Sequence, residues 1–416
     1  MNFFYLAINI IGILVFLAIA WFFSEDRKAI NWRSVGIVMA IQVALAAFFI
    51  YSPIGRNAVE AAANGFVWLL DAAFEGIKFA LPDWLNNGTK GFQPNFVTNA
   101  LLPVLLVVPL FDILTYIGFL PWVIKWIGLG LSKITGQPRF EAFFSVEMMF
   151  LGNTEVLAVS KNQLEQMSEK RNFTLALMSM SCVTAAIIGA YVGMVPGEFV
   201  LAAIPLNILG AIVVASIMNP VKVTEKEDVI VSVGTKDKNG NIVREPFFSF
   251  LGDSIINAGR LILIITATVI AFVALAALVN QIFSLTGLEW LTLENILGVI
   301  MFPFAWLLGF EPGQAFELAQ LMGTKLVTNE FVAMGQISDA IKAAEGIWQN
   351  RHAQVAITVF LTSFANFSTV GMIIGAFKGL VSKEKVNYIS KRVPKMLIAG
   401  ILVSLLSAGT ASLFAW

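Results

Sequence analysis

Leu326-Val327-Thr328-Asn329-Glu330-Phe331 sets an amide and a carboxylate inside a stretch otherwise apolar enough to enter a membrane. Leu151-Gly152-Asn153-Thr154-Glu155 does the same in the first half of the chain. A carboxylate at bilayer depth costs at least about 2.5 kcal/mol on insertion scales, so it is retained where it faces a cavity, a partner or a substrate. The Asn within two residues of each Glu adds donors and an acceptor beside a pure acceptor. That pairing suits a polyhydroxylated or heterocyclic ligand.

The surroundings of these motifs set the fold class. With 416 residues, 58% hydrophobic, 13% charged and a mean hydropathy of +0.80, the chain lies outside the range of soluble proteins and reads as an all-α polytopic membrane protein. Eight runs approach the length of about 20 residues needed for a transmembrane helix: 3–23, 35–51, 100–120, 173–195, 198–218, 261–283, 353–377 and 396–416. The first lacks a basic flank and a small-residue cleavage site and ends in Trp21-Phe22-Phe23, so it reads as a span rather than a signal. One cysteine, Cys182, excludes an internal disulfide, and with His352 as the sole histidine no Cys/His metal site is expected.

Stretches 139–164 and 314–341 are apolar but polar at their centres and too short for two crossings. They read as re-entrant hairpins whose tips carry the two Asn/Glu pairs. Irregular backbone at depth must be buried in protein or line a cavity, so the tips are expected near the middle of the molecule. Segments 56–81, 121–134 and 293–310 mix apolar, aromatic and charged residues as interfacial helices do, the last interrupted at Pro303. The spans following each hairpin carry Met178-Ser179-Met180-Ser181-Cys182-Val183-Thr184 and Thr362-Ser363-Phe364-Ala365-Asn366-Phe367-Ser368-Thr369 in their middles, and both are expected to be unwound there.

The order span, amphipathic helix, hairpin, span, span occurs twice, with an odd number of complete crossings per unit. The units therefore have opposite orientation, and inverted repeats with broken helices are a signature of secondary transporters. This divides the chain into N-terminal scaffold spans (1–98), a first repeat (99–220), a cytoplasmic loop (221–249) and a second repeat (250–416). Placing the N-terminus and C-terminus outside puts twenty of the 27 basic residues on the inner side, as the positive-inside rule favours for a plasma-membrane protein.

Gly152-Asn153-Thr154-Glu155, Lys325 to Ala333 and Ser363-Phe364-Ala365-Asn366-Phe367-Ser368-Thr369, in that order, resemble the concentrative nucleoside transporters, and more closely their bacterial, proton-coupled subgroup. The resemblance covers nearly the whole chain. It implies a homotrimer that moves a transport domain of hairpins and broken helices across the cytoplasmic (inner) membrane in an elevator-like cycle, as a symporter. It also implies that Asn153, Thr154 and Glu155 bind the nucleobase, with Asn153 one methylene shorter than the Gln common there. Glu330, Asn366 and Thr369 would take the ribose hydroxyls, and Phe364 and Ile187 the apolar face of the base.

Sodium-coupled members carry Asn and Ser where this chain has Met148 and Cys182. Thioether and thiol are poor ligands for a hard cation, which favours the proton as coupling ion and leaves sodium as the alternative. A buried carboxylate would carry the proton, with Glu155, Glu330, Glu147 and Asp112 as candidates; for Glu147 and Asp112 a hydrogen-bonded scaffold role is the competing reading. No other cofactor and no nucleic-acid partner is expected. An intramembrane hydrolase would need acidic or nucleophilic motifs that are absent; a channel, and a transporter of another polar solute, remain as rival readings. Base preference is left open.

Overall fold

The computed structural model describes residues 2–85, 95–224, 227, 228, 230 and 246–416, apart from the side chains of Leu85, Thr154 and Ala186. Lys90, Lys226, Lys236, Lys238, Arg244 and most of the expected 221–249 loop lie outside the described residues.

The chain begins with α1 (Phe3–Phe22), α2 (Trp32–Ala46), α3 (Pro53–Ala80) and the single turn α4 (Pro82–Leu85). The first unit follows: α5 (Val104–Tyr116), entered through a π-helical turn at Val97–Leu101, then α6 (Phe119–Thr135). Its hairpin is α7 (Arg139–Glu147), α8 (Asn153–Val159) and α9 (Lys161–Gln166); its broken span is α10 (Glu169–Ser179) with α11 (Ala185–Val192), and α12 (Gly197–Met218) closes it. The second unit repeats the order: α13 (Phe247–Ser284), α14 (Leu293–Trp306), the hairpin α15 (Pro312–Val327) with α16 (Glu330–Lys342), and the broken span α17 (Arg351–Leu361) with α18 (Phe367–Leu380). A short extra helix, α19 (Lys383–Ser390), precedes α20 (Val393–Ser412).

Among the described residues six helical stretches are long and apolar enough to cross a bilayer, containing α1, α2, α5, α12, α13 and α20. The two remaining expected spans are the broken pairs. Their interruptions fall at 180–184 and 362–366, where hydroxyl and amide side chains compete with the helical ladder for backbone groups.

Burial separates an inner bundle from a lipid-facing periphery. In its most apolar window α12 buries 83% of its residues and α13 only 6%. Leu263, Ile264, Ile270 and Leu278 on α13 are exposed, which carries little penalty where the solvent is hydrocarbon. Helix α13 starts well before the expected span at 261: its 38 residues reach about 57 Å at 1.5 Å per residue, against a hydrocarbon core of about 30 Å. Its early turns are held to the end of α5 by Tyr116, whose ring lies 5.5 Å from Phe247 and 4.9 Å from Phe250.

Pro303 does not interrupt the segment where it sits; α14 runs through it. The proline removes one ladder bond, but α14 is clamped along α15. A Cβ on Gly298 would come within 2.9 Å of Gln320, and one on Gly323 would reach the backbone of Leu297 at 3.2 Å. Close approach at small residues is the usual basis of helix association in membranes, and here it holds the helical path that the proline opposes.

Candidate functional site

Each hairpin tip and each broken span turns the N-terminal end of a half-helix inward. In the second hairpin Asn329 is extended (φ −164°, ψ 176°) and caps α16, its side chain accepting from the Val332 amide at 3.1 Å. Glu330 is therefore the first residue of α16, at the positive end of its dipole. In the broken span Asn366 does the same for α18, its Oδ1 accepting from the Thr369 amide at 2.9 Å and the Thr369 hydroxyl at 3.1 Å.

That cap fixes the orientation of the Asn366 amide. With Oδ1 committed to α18, Nδ2 is left to donate, and it reaches Glu330 Oε2 at 3.2 Å. The other carboxylate oxygen accepts from the Tyr191 hydroxyl at 3.0 Å. Glu330, Asn366, Thr369 and Tyr191 are all buried, so these bonds form where competition from water is small.

The first hairpin is stitched to its own broken span by side-chain donors. Cys182 donates its thiol to the Met148 carbonyl at 3.2 Å and the Leu151 carbonyl at 3.4 Å, and Thr184 reaches the Phe150 carbonyl at 3.5 Å. The two interruptions are joined where the Phe364 amide donates to the Cys182 carbonyl at 3.2 Å. From α12, Asn207 donates to the Thr362 carbonyl. Backbone groups freed by the breaks thus find partners inside the protein, as non-helical backbone at membrane depth requires.

The remaining expected residues are distributed around this framework. Asn153 opens α8 and is buried, with Nδ2 lacking a hydrogen-bond partner, while Glu155 in the same first turn is exposed. The Thr154 side chain lies outside the described residues. Ile187 is buried on α11, one turn before Tyr191, and Phe364 is buried within the second interruption. Glu147 ends α7 just below the tip, buried, with Oε2 unpartnered. Asp112 stands apart, accepting from Ser254 at 2.5 Å across the α5–α13 contact. A cavity of about 540 Å³ lined by Asn31, Gln137, Glu141, Ser216 and Lys222 is separate from these residues.

Of two further residues at the site, Tyr191 escaped the sequence reading and Lys325 entered it within the second-hairpin motif without a role. Tyr191 carries the only hydroxyl in Ala185-Ala186-Ile187-Ile188-Gly189-Ala190-Tyr191-Val192, a signal that was available. Lys325 is a cation within an apolar hairpin limb, which at depth marks function by default; it is fully buried.

Comparison with known proteins bears on this framework directly. The family described as "Na+ dependent nucleoside transporter C-terminus" matches residues 199–412, and its N-terminal counterpart matches residues 11–84. The chain belongs to the concentrative nucleoside transporter family. It is 41% identical to the purine nucleoside transport protein NupG of Bacillus subtilis, over 99% of this chain and 100% of that one. It is 30% identical to the nucleoside permease NupC of Helicobacter pylori, over 98% and 97% of the two chains. Among solved structures it resembles CNTnw in an inward-facing substrate-bound state (TM-score 0.87, 27% identity, 99% of each chain). It also resembles a substituted CNTnw in an outward-facing state (TM-score 0.90, 26% identity, 100% and 99%). Like other family members it is a multi-pass membrane transporter, not an enzyme.

Proposed function

We propose that the chain imports nucleosides across the cytoplasmic membrane as a proton-coupled symporter. The observation that carries the reading is the Glu330 carboxylate, held by Tyr191 and Asn366 at the N-terminal ends of α16 and α18. An ionised carboxylate is an acceptor matched to ribose hydroxyls, and charge-assisted bonds are about twice as strong as neutral ones. Asn366 and Thr369 complete the ribose side. Asn153, Thr154 and Glu155 take the base edge, where the unpartnered Asn153 amide offers donors to a ring nitrogen or carbonyl. Ile187 and Phe364 supply apolar contact. The name of the 41% identical relative makes purine nucleosides the first substrates to test.

The thiol of Cys182 supports proton coupling. The Met148 and Leu151 carbonyls accept from a neutral donor, and neither the Met148 nor the Cys182 side chain offers the oxygen that sodium favours. Sodium coupling is the second reading, favoured by the description of the matching family. In this account the hairpins and broken helices travel as an elevator against a scaffold that includes residues 1–98, within a homotrimer whose termini face outward. Glu330, Glu155, Glu147 and Asp112 are the candidate proton carriers.

Uptake of labelled inosine and uridine with sodium replaced by choline, across a pH series, tests both parts. Accumulation that survives in choline and rises with the inward proton gradient is expected. Loss of uptake without sodium rejects proton coupling, and no accumulation of any nucleoside rejects the function.

A further inference from the structure

We propose that Lys325 is a positioning residue of the nucleoside site: its ammonium joins the C-terminal ends of α15 and α17, and so fixes where α16 and α18 present Glu330 and Asn366. This rests on the nucleoside reading above. Nζ meets the Phe360 carbonyl at 2.5 Å, the Ser363 hydroxyl at 2.7 Å and the Ser404 hydroxyl at 3.4 Å, so its three donors are all engaged. It also lies 4.5 Å from the centre of the Phe360 ring.

A buried ammonium is costly unless it is compensated, and among the described residues no carboxylate lies within ion-pair distance of it. The contacts at hydrogen-bond distance are dipolar, with the Glu330 carboxylate acting from further away. Lys325 sits in the last turn of α15 and touches a carbonyl in the last turn of α17, where partial negative charge accumulates. The opposite, positive ends of the following half-helices face the Glu330 carboxylate. The broken span of the second repeat therefore has the C-terminal end of α17 on an ammonium, while α16 and α18 start beside the Glu330 carboxylate.

The spacing couples the two. Lys325 precedes Glu330 by five residues and Ser363 precedes Asn366 by three, so the anchor lies within five residues of each ribose-side residue, across the non-helical link. The Ser363 and Ser404 hydroxyls bond each other at 2.7 Å, fastening the anchor to α20. In the first repeat the hairpin and broken span are joined instead by a neutral donor, the Cys182 thiol on the Met148 and Leu151 carbonyls.

Two variants separate positioning from a role in folding alone. Lys325→Met keeps most of the side-chain length without charge or donors, and Ser404→Ala removes the longest of the three bonds together with the Ser363–Ser404 bond while leaving the ammonium in place. The readouts are the KM of uptake for inosine and for 2′- and 3′-deoxyinosine, with detergent-solubilised protein checked for monodispersity. Lys325→Met is expected to raise the inosine KM about tenfold while changing that of the deoxynucleosides less than about twofold, collapsing ribose discrimination. Ser404→Ala is expected to act in the same direction by a smaller factor. Unchanged discrimination, or equal losses on ribo- and deoxynucleosides, overturns the proposal; if Lys325→Met does not assemble, Ser404→Ala decides it. Failure of the wild-type protein to take up any nucleoside is a different result, which rejects the nucleoside reading itself.

Discussion

Glu330→Gln is the substitution for which the structure dictates the outcome most closely. The change is isosteric, so packing is kept, but Gln brings one acceptor and one donor group where Glu brings two acceptors. Asn366 Nδ2 can only donate, because its Oδ1 is held by Thr369. The Gln carbonyl must therefore face Asn366 and its NH2 must face Tyr191, whose hydroxyl can turn to accept. Both internal bonds survive as neutral ones. Hydrogen bonds to a charged group are worth about 1.5–3 kcal/mol and neutral ones about 0.5–1.5 kcal/mol, and ribose hydroxyls lose an ionised acceptor as well. A deficit of about 2–4 kcal/mol in substrate binding follows, which corresponds to about 30- to 700-fold in Kd. In proteoliposomes assayed at a nucleoside concentration near the wild-type KM, uptake by Glu330→Gln should fall to background. Size-exclusion chromatography should show an unchanged assembly. A KM within about threefold of wild type, where the deficit demands at least about thirtyfold, would remove Glu330 from the ribose side and refute the reasoning.

Three further outcomes follow from the packing. Gly400→Ala would place a Cβ 2.9 Å from that of Ala365 and 3.1 Å from that of Met180, atoms beside the two helix interruptions that cannot rotate away. Destabilisation of about 1–3 kcal/mol is expected, with weaker nucleoside binding; an unchanged melting curve and KM would contradict this contact. Arg171→Met breaks the bidentate pair with Glu141, at 2.7 and 2.8 Å between nearly buried side chains. It should cost about 3–5 kcal/mol, much of it recovered in Arg171→Met/Glu141→Leu, and a melting temperature equal to wild type for the single variant would count against it. Glu25, in the connection between α1 and α2, takes Lys395 at 2.6 Å and Arg392 at 3.2 Å. Burial raises its pKa, but the two cations outweigh burial and hold it below the usual 4.5. A lowered folded value means that its stabilisation is complete above the unfolded pKa and is lost as pH falls through the folded one. The melting-temperature gap between wild type and Glu25→Gln should therefore shrink between about pH 5 and pH 3, and a gap independent of pH would exclude this pair as its source.

What the sequence made legible divides along physical lines. Spans were readable because transfer into hydrocarbon depends on composition summed over a window, and the interruptions because Ser, Thr and Asn crowd into Met178 to Thr184 and Thr362 to Thr369 where lipid-facing helix has none. The start of α13 and the continuity of α14 were not readable, since both are decided by neighbours: Tyr116 against Phe247 and Phe250, and Leu297 seated on Gly323. The same limit applies at the site. Glu330 and Asn366 announce themselves as polar groups at depth, but Tyr191 lies 139 positions from the carboxylate it binds, and no local pattern links them. Lys325 is the sharper case. It is a cation in a membrane hairpin with no carboxylate within ion-pair distance among the described residues, and its direct partners are a helix-end carbonyl and two hydroxyls. A charge met by dipoles at hydrogen-bond distance leaves no pairing pattern in the sequence for those contacts. Its partners at Phe360, Ser363 and Ser404 are a carbonyl and two hydroxyls, groups common in any helix and informative only once α15, α17 and α20 are brought together.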